Sequence, residues 1–185
     1  MRKRRILIIV ENLPVPFDRR VWQEATTLQS AGYEVSVISP KRGDARKGHE
    51  VLHGVHIYRH PLPIEADSIV GYAAEYATAL FWQLVLAVRI AFTRGFDVIH
   101  ACNPPDLIFL VALPFKLFGK KFVFDHHDIN PELYEAKFGK RGFFWRLMVL
   151  FEKLTFKVAD VSIATNESYK AIATTRGGMK ADRVH

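Results

Sequence analysis

The tetrapeptide "DHHD" at 125–128 sets two imidazoles between two carboxylates. An imidazole takes or gives a proton near neutral pH, and a carboxylate beside it can fix which ring nitrogen carries that proton. His127 with Asp128 is therefore a candidate general base with its orienting partner. A metal fits poorly. Adjacent histidines on an extended segment point to opposite faces, so they cannot easily share one ion, and His126 reads as a packed strand residue. Glu132, behind Pro131, either favours a helix start or accepts a hydrogen bond from a hydroxyl-bearing substrate.

Two further stretches carry usable groups. In "PFDRR" (16–20) Asp18 can cap a helix, while Arg19 and Arg20 fall in its first turn. Cations there oppose the helix dipole, which makes an anion a sensible partner. In "HACNPPD" (100–106) Asn103 and Asp106 flank a proline turn, where they can line a cleft or cap the helix that follows. His100 reads as structural. Cys102 is the single cysteine of the chain, which excludes an internal disulfide, makes a thiolate zinc site implausible and suits a reducing cytoplasm.

The elements that must position these groups follow from periodicity. Strand-like runs stand at 6–10, 34–39, 55–59, 97–101, 121–125 and 160–165, several of them continuous β-branched or aromatic runs. Helical patterns alternate with them, beginning with the stripe Val21, Trp22, Ala25 and Leu28, stopped at Gly32. The pattern predicts an α/β fold: a doubly wound, mainly parallel sheet with helices on both faces. Such sheets bind ligands outside the carboxyl ends of their strands. The polar loops "ENLPVPFDRR", "CNPPD", "HHDINPE" and "NES" all follow strands there. Residues 40–54 read as an exposed loop and 126–142 as a long irregular one. A helix is expected over about 67–95; Glu75 and Arg89 bound its charge-free core, too short for a membrane span.

The chain is 49% apolar and 24% charged, with a formal net charge of +7. That is a globular composition favouring an anionic partner. Lys137, Lys140, Arg141, Arg146, Lys153 and Lys157 interleave with "GFFW" and "LMVLF" on what reads as one long helical pattern. This suits an anionic membrane surface better than nucleic acid, or else it is a solvated basic face.

Together, "NLPVPFDRRVWQEATTLQSAGYEVSVISP", "FDVIHACNPPD", "GKKFVFDHHDINPELYEAKF" and "ADVSIATNESY" resemble the N-terminal domain of a family 4 glycosyltransferase. The likeness is to bacterial enzymes that build surface polysaccharides, aminosugar transferases among them. The resemblance implies the two-domain GT-B architecture, with 1–185 as a single Rossmann-like domain on the acceptor side. It implies that the domain binding the nucleotide-sugar is absent from this chain. No glycine-rich phosphate turn follows the first strand, as that arrangement expects.

By the same resemblance the donor is a nucleotide-sugar, of UDP type, and the acceptor a lipid-linked saccharide at the inner face of the plasma membrane. No cofactor or metal is implied. His127 matches a family histidine in contact with the acceptor or the chemistry; Arg19 or Arg20 meets a diphosphate. Cys102 stands where related enzymes carry a histidine on the transferred sugar's outer hydroxyl, which favours a 6-deoxy donor. Two rivals remain: half of a nucleotide-sugar 2-epimerase, or a non-catalytic docking subunit of a split transferase.

Overall fold

A computed structural model describes residues 4–62 and 69–185 of the chain. Seven strands form a mainly parallel sheet in the order β3-β4-β2-β1-β5-β6-β7. The chain divides into two compact units, Met1–His100 and Ala101–His185, and the division falls within β5.

In the first unit β1 (Arg5–Ile9) runs parallel to β2 (Glu34–Pro40), and β2 runs parallel to β4 (Val55–His60). Leu7, Ile8, Val37, Ile38, Val55 and Ile57 are fully buried, as expected of strands covered on both faces. Helix α1 (Arg19–Ser30) connects β1 to β2. The Asp18 carboxylate caps it by accepting from Val21 N–H at 3.0 Å, and Gly32, at φ +90°, closes its far end. Arg5 opens β1 and pairs with Asp97 at 3.0 Å, tying that strand's start to the approach to β5 (Val98–Cys102).

The stretch 40–54, expected as loop, contains a strand. β3 (His49–Leu52) pairs antiparallel with β4 across the two-residue turn His53–Gly54. Both turn residues have positive φ, +48° and +79°, the geometry that tight hairpins need. The polar sequence of β3 hid it: at the sheet's margin it need not be apolar.

Helix α2 (Ile69–Thr93) appears where one was expected, with positions 67 and 68 outside the described residues. Its charge-free core between Glu75 and Arg89 is short, as the sequence reads, but the helix extends well beyond it. Ala74–Thr93, 20 residues of mean hydropathy 1.4, is long and apolar enough to cross a membrane by length and composition. Ala79, Gln83, Ala87 and Ile90 are nevertheless fully buried, and the helix packs on β2 and β4. Phe81, Val85, Val88 and Phe92 form an exposed apolar stripe along it.

The second unit continues from β5 through α3 (Phe109–Lys116), β6 (Lys121–His126), α4 (Asn130–Phe138), α5 (Phe143–Val158), β7 (Val161–Ala164) and α6 (Glu167–Thr175). β6 and β7 are parallel, and Phe122, Phe124 and Phe156 fill the core. Helix α4 lies inside the stretch expected to be irregular. Pro131 starts it and Gly139, at φ +67°, stops it. The basic residues consequently do not share one helix: Lys137 is on α4, Lys140 and Arg141 are in the connector, and Arg146, Lys153 and Lys157 are on α5.

Candidate active site

At the carboxyl end of β1, Glu11 is 5% exposed and accepts from Gln83 Nε2 at 3.0 Å. Burial pushes its carboxyl up to about 8, so it is largely protonated at neutral pH. Arg59 (buried) donates to the Val15 carbonyl and pairs with Glu50, fixing the loop that leads to Asp18. Arg19 is exposed at the start of α1, whereas Arg20 is paired with Glu24 at 3.2 Å. Glu24 also lies 3.7 Å from His100 Nε2, on a buried ring consistent with a structural role.

In the second unit the loops after β5 and β6 are clasped together by side chains. Asn103 is 1% exposed. Its Oδ1 accepts from the backbone N–H of His127 at 3.0 Å and of Asp128 at 3.1 Å. Its Nδ2 donates to Asp106 Oδ1 at 3.0 Å and to the Asp128 carbonyl at 2.5 Å. Asp106 Oδ2 in turn accepts from Asn130 Nδ2 at 2.8 Å. Burial lifts the Asp106 carboxyl to about 6, against the pull of the bonds from Asn130 and Asn103. Neither Asn103 nor Asp106 caps α3, whose first turn has no side-chain cap. They lock two loops instead.

The clasp holds the backbone of His127 where β6 ends. The ring lies between two carboxylates: Nδ1 is 3.9 Å from Asp125 Oδ2, and Nε2 is 3.9 Å from Asp128 Oδ2. These distances are too long for hydrogen bonds. Asp128 therefore does not fix the ring's tautomer in this arrangement, contrary to the sequence expectation, and acts on it only through its charge. The Cys102 thiol, 2% exposed, donates to the other neighbour, Asp125 Oδ2, at 3.5 Å. Pairing with that carboxylate engages the group expected to face a sugar.

His126 points the other way, as alternation along a strand requires. Its ring is fully buried against Phe124, Phe156 and Tyr169, with Nε2 3.6 Å from Glu152 Oε2. Glu152, also fully buried, accepts two hydrogen bonds at 2.7 Å from Arg176, which reaches both oxygens of Glu132 as well. The Glu132 carboxylate, expected at a helix start or on a substrate hydroxyl, is thus bonded to a guanidinium that joins α4, α5 and the end of α6.

Asn130, Glu152, Arg176 and Glu11 were not singled out from the sequence. Only Glu152 left a readable signal: an acid aligned with Thr155 and Phe156 on the buried face of α5.

The family model described as Glycosyltransferase Family 4 matches residues 18–185. The chain belongs to glycosyltransferase family 4. Comparison with curated proteins finds no match. Among solved structures, sucrose-phosphate synthase from Thermosynechococcus elongatus is 15% identical with a TM-score of 0.75, over 99% of this chain and 47% of that one. A putative UDP-N-acetylglucosamine 2-epimerase from Listeria monocytogenes is 10% identical, TM-score 0.62, over 100% and 44%. Arabidopsis thaliana UGT89C1 complexed with UDP-L-rhamnose is 12% identical, TM-score 0.61, over 100% and 52%. The family 4 chain spans about half the length of these structures, and its Rossmann-like fold is that of one GT-B domain.

Proposed function

We propose that this family 4 chain is the acceptor-side half of a retaining glycosyltransferase. It moves a sugar from a UDP-linked donor to a lipid-linked saccharide in surface polysaccharide synthesis. The observation that carries the reading is His127: a partly exposed imidazole at the carboxyl end of a parallel strand, flanked by Asp125 and Asp128. In the reaction the bond from C1 to the diphosphate breaks, the acceptor hydroxyl oxygen bonds to C1 on the face the diphosphate leaves, as retention requires, and His127 receives the hydroxyl proton. No protein nucleophile is assigned, and neither metal nor cofactor is required.

The test incubates the intact protein with radiolabelled UDP-sugars, with and without a lipid-linked saccharide extract. Label is expected in the lipid fraction only when the acceptor is present, and residues 1–185 alone are expected to give no turnover. A 2-epimerised UDP-sugar formed without acceptor would identify an epimerase instead. Turnover by 1–185 alone would remove the division of labour between two halves.

The same reading places the protein in the cytoplasm, peripheral at the inner face of the membrane. Phe143 is 73% exposed and Phe144 43%, and Lys140, Arg141 and Arg146 flank them. Arg141 pairs with Glu135 at 2.8 Å and lies over the Trp145 ring, which reduces its share. Changing Lys140, Arg141 and Arg146 together to glutamine should weaken binding to phosphatidylserine vesicles by up to about 1 kcal/mol per cation near the surface. Co-sedimentation indifferent to both anionic lipid and salt would leave only a solvated face.

A further inference from the structure

We propose that Asn103 is a positioning residue for His127 and makes no contact with substrate; this rests on the transferase reading of the site. A primary amide offers two N–H donors and two acceptor lone pairs. At Asn103 the four partners are accounted for: His127 N–H, Asp128 N–H, the Asp106 carboxylate and the Asp128 carbonyl. Nothing remains for a sugar hydroxyl, and the side chain is 1% exposed. The network also fixes the amide's orientation. A flipped amide would aim its N–H groups at two backbone N–H groups, and its oxygen at a carboxylate and a carbonyl.

The bonds fall where they matter. The N–H groups of residues 127 and 128 lie just beyond β6, which ends at His126. Asn103 stands in for the missing ladder partner and sets the backbone from which the His127 ring projects. Asp106 and Asn130 hold the clasp from the far side, joined at 2.8 Å. Its effect on the reaction therefore passes through the placement of one imidazole.

The intact protein carrying Asn103→Ala should fold, with the His127 imidazole resonances displaced in nitrogen-15 NMR spectra. Its kcat should fall about 100-fold, the cost of misplacing a reacting group by about an ångström, while both KM values stay within about threefold. Asn103→Asp provides a second arm. It keeps the two acceptor bonds but turns a carboxylate toward Asp106 and the Asp128 carbonyl. Protonation returns one donor, so its kcat relative to wild type should rise as pH falls from 8 toward 5.5. The activity of Asn103→Ala should show no such relative gain.

A KM increase with kcat preserved in either variant would place Asn103 on the substrate and overturn the assignment. So would His127 resonances identical to wild type. If the alanine variant fails to fold, the aspartate variant decides by its pH profile, and a flat relative profile refutes the proposal. Should the wild-type protein transfer no sugar, the transferase reading fails. Displaced His127 resonances would even then show that Asn103 positions the ring.

Discussion

Replacing His127 by alanine in the intact enzyme is expected to lower kcat by about 10²–10⁴-fold, the usual worth of a positioned acid or base. The melting temperature should scarcely move. The residue's backbone is what the fold grips, through Asn103, and the ring makes no hydrogen bond through its buried Nδ1 among the described residues. His126 supplies the internal contrast. Its ring is fully buried between Phe124, Phe156 and Tyr169, so His126→Ala should destabilise the protein first and affect turnover only as a consequence. Asp128→Asn should fall between wild type and His127→Ala, since the carboxylate acts over 3.9 Å without a hydrogen bond. Full activity in His127→Ala would end its assignment as the proton acceptor.

The largest loss of stability is expected from Arg176→Ala, about 3–5 kcal/mol near pH 7.5, or a melting temperature lower by roughly 10 °C for a chain of this size. The reason is what stays behind. Glu152 is fully buried and takes two hydrogen bonds from this guanidinium, whereas Glu132 is about one-third exposed and can be rehydrated. The pH dependence follows with a definite sign. Burial alone would raise the Glu152 carboxyl, but His126 and Arg176 outweigh it and hold the group below its ordinary value. Its contribution in the wild type is therefore present above the unfolded carboxyl range and lost as pH falls through the folded value. Without Arg176, burial dominates and the folded value rises, so the variant gains relative stability on acidification. Denaturant curves for the two proteins should converge below about pH 4.5. A deficit under about 1 kcal/mol at pH 7.5 would mean the guanidinium is dispensable. Adding Glu152→Gln to Arg176→Ala should recover part of the loss.

The sheet was legible because burial on both faces forces apolar runs. Runs such as "ILIIV" and "KFVFD" announce themselves whatever their neighbours. β3 was not, because "HEVL" sits at a margin where half its side chains face solvent, and its only local mark was the glycine after His53. Helix α4 carried its signals in plain view, Pro131 at the start and Gly139 at the stop, but they were outweighed by the density of polar residues between. In the candidate site, the loops after β5 and β6, which the residue types singled out, are joined to one another through Asn103. What could not be read was direction. Asn103 and Glu132 look alike in sequence as groups free to meet a ligand, and both are occupied by partners 24 and 44 residues away. Pairings over such separations leave no periodicity, so only the folded chain shows which polar groups are spent on one another.

The hairpin at the sheet's margin has a consequence for the protein's behaviour in concentrated solution. β4 is a continuous, almost entirely buried strand, and left at the rim it would offer a row of unpaired amides to any other extended chain. β3 covers that row with only four residues. It bears His49 and Glu50, and a lysine and an arginine stand just before them at Lys47 and Arg46. A strand so short and so charged is a poor template for strand addition. Lengthening it with β-branched residues, or neutralising Arg46 and Lys47, would turn a closed margin into a sticky one, and the first symptom would be aggregation at unchanged thermal stability.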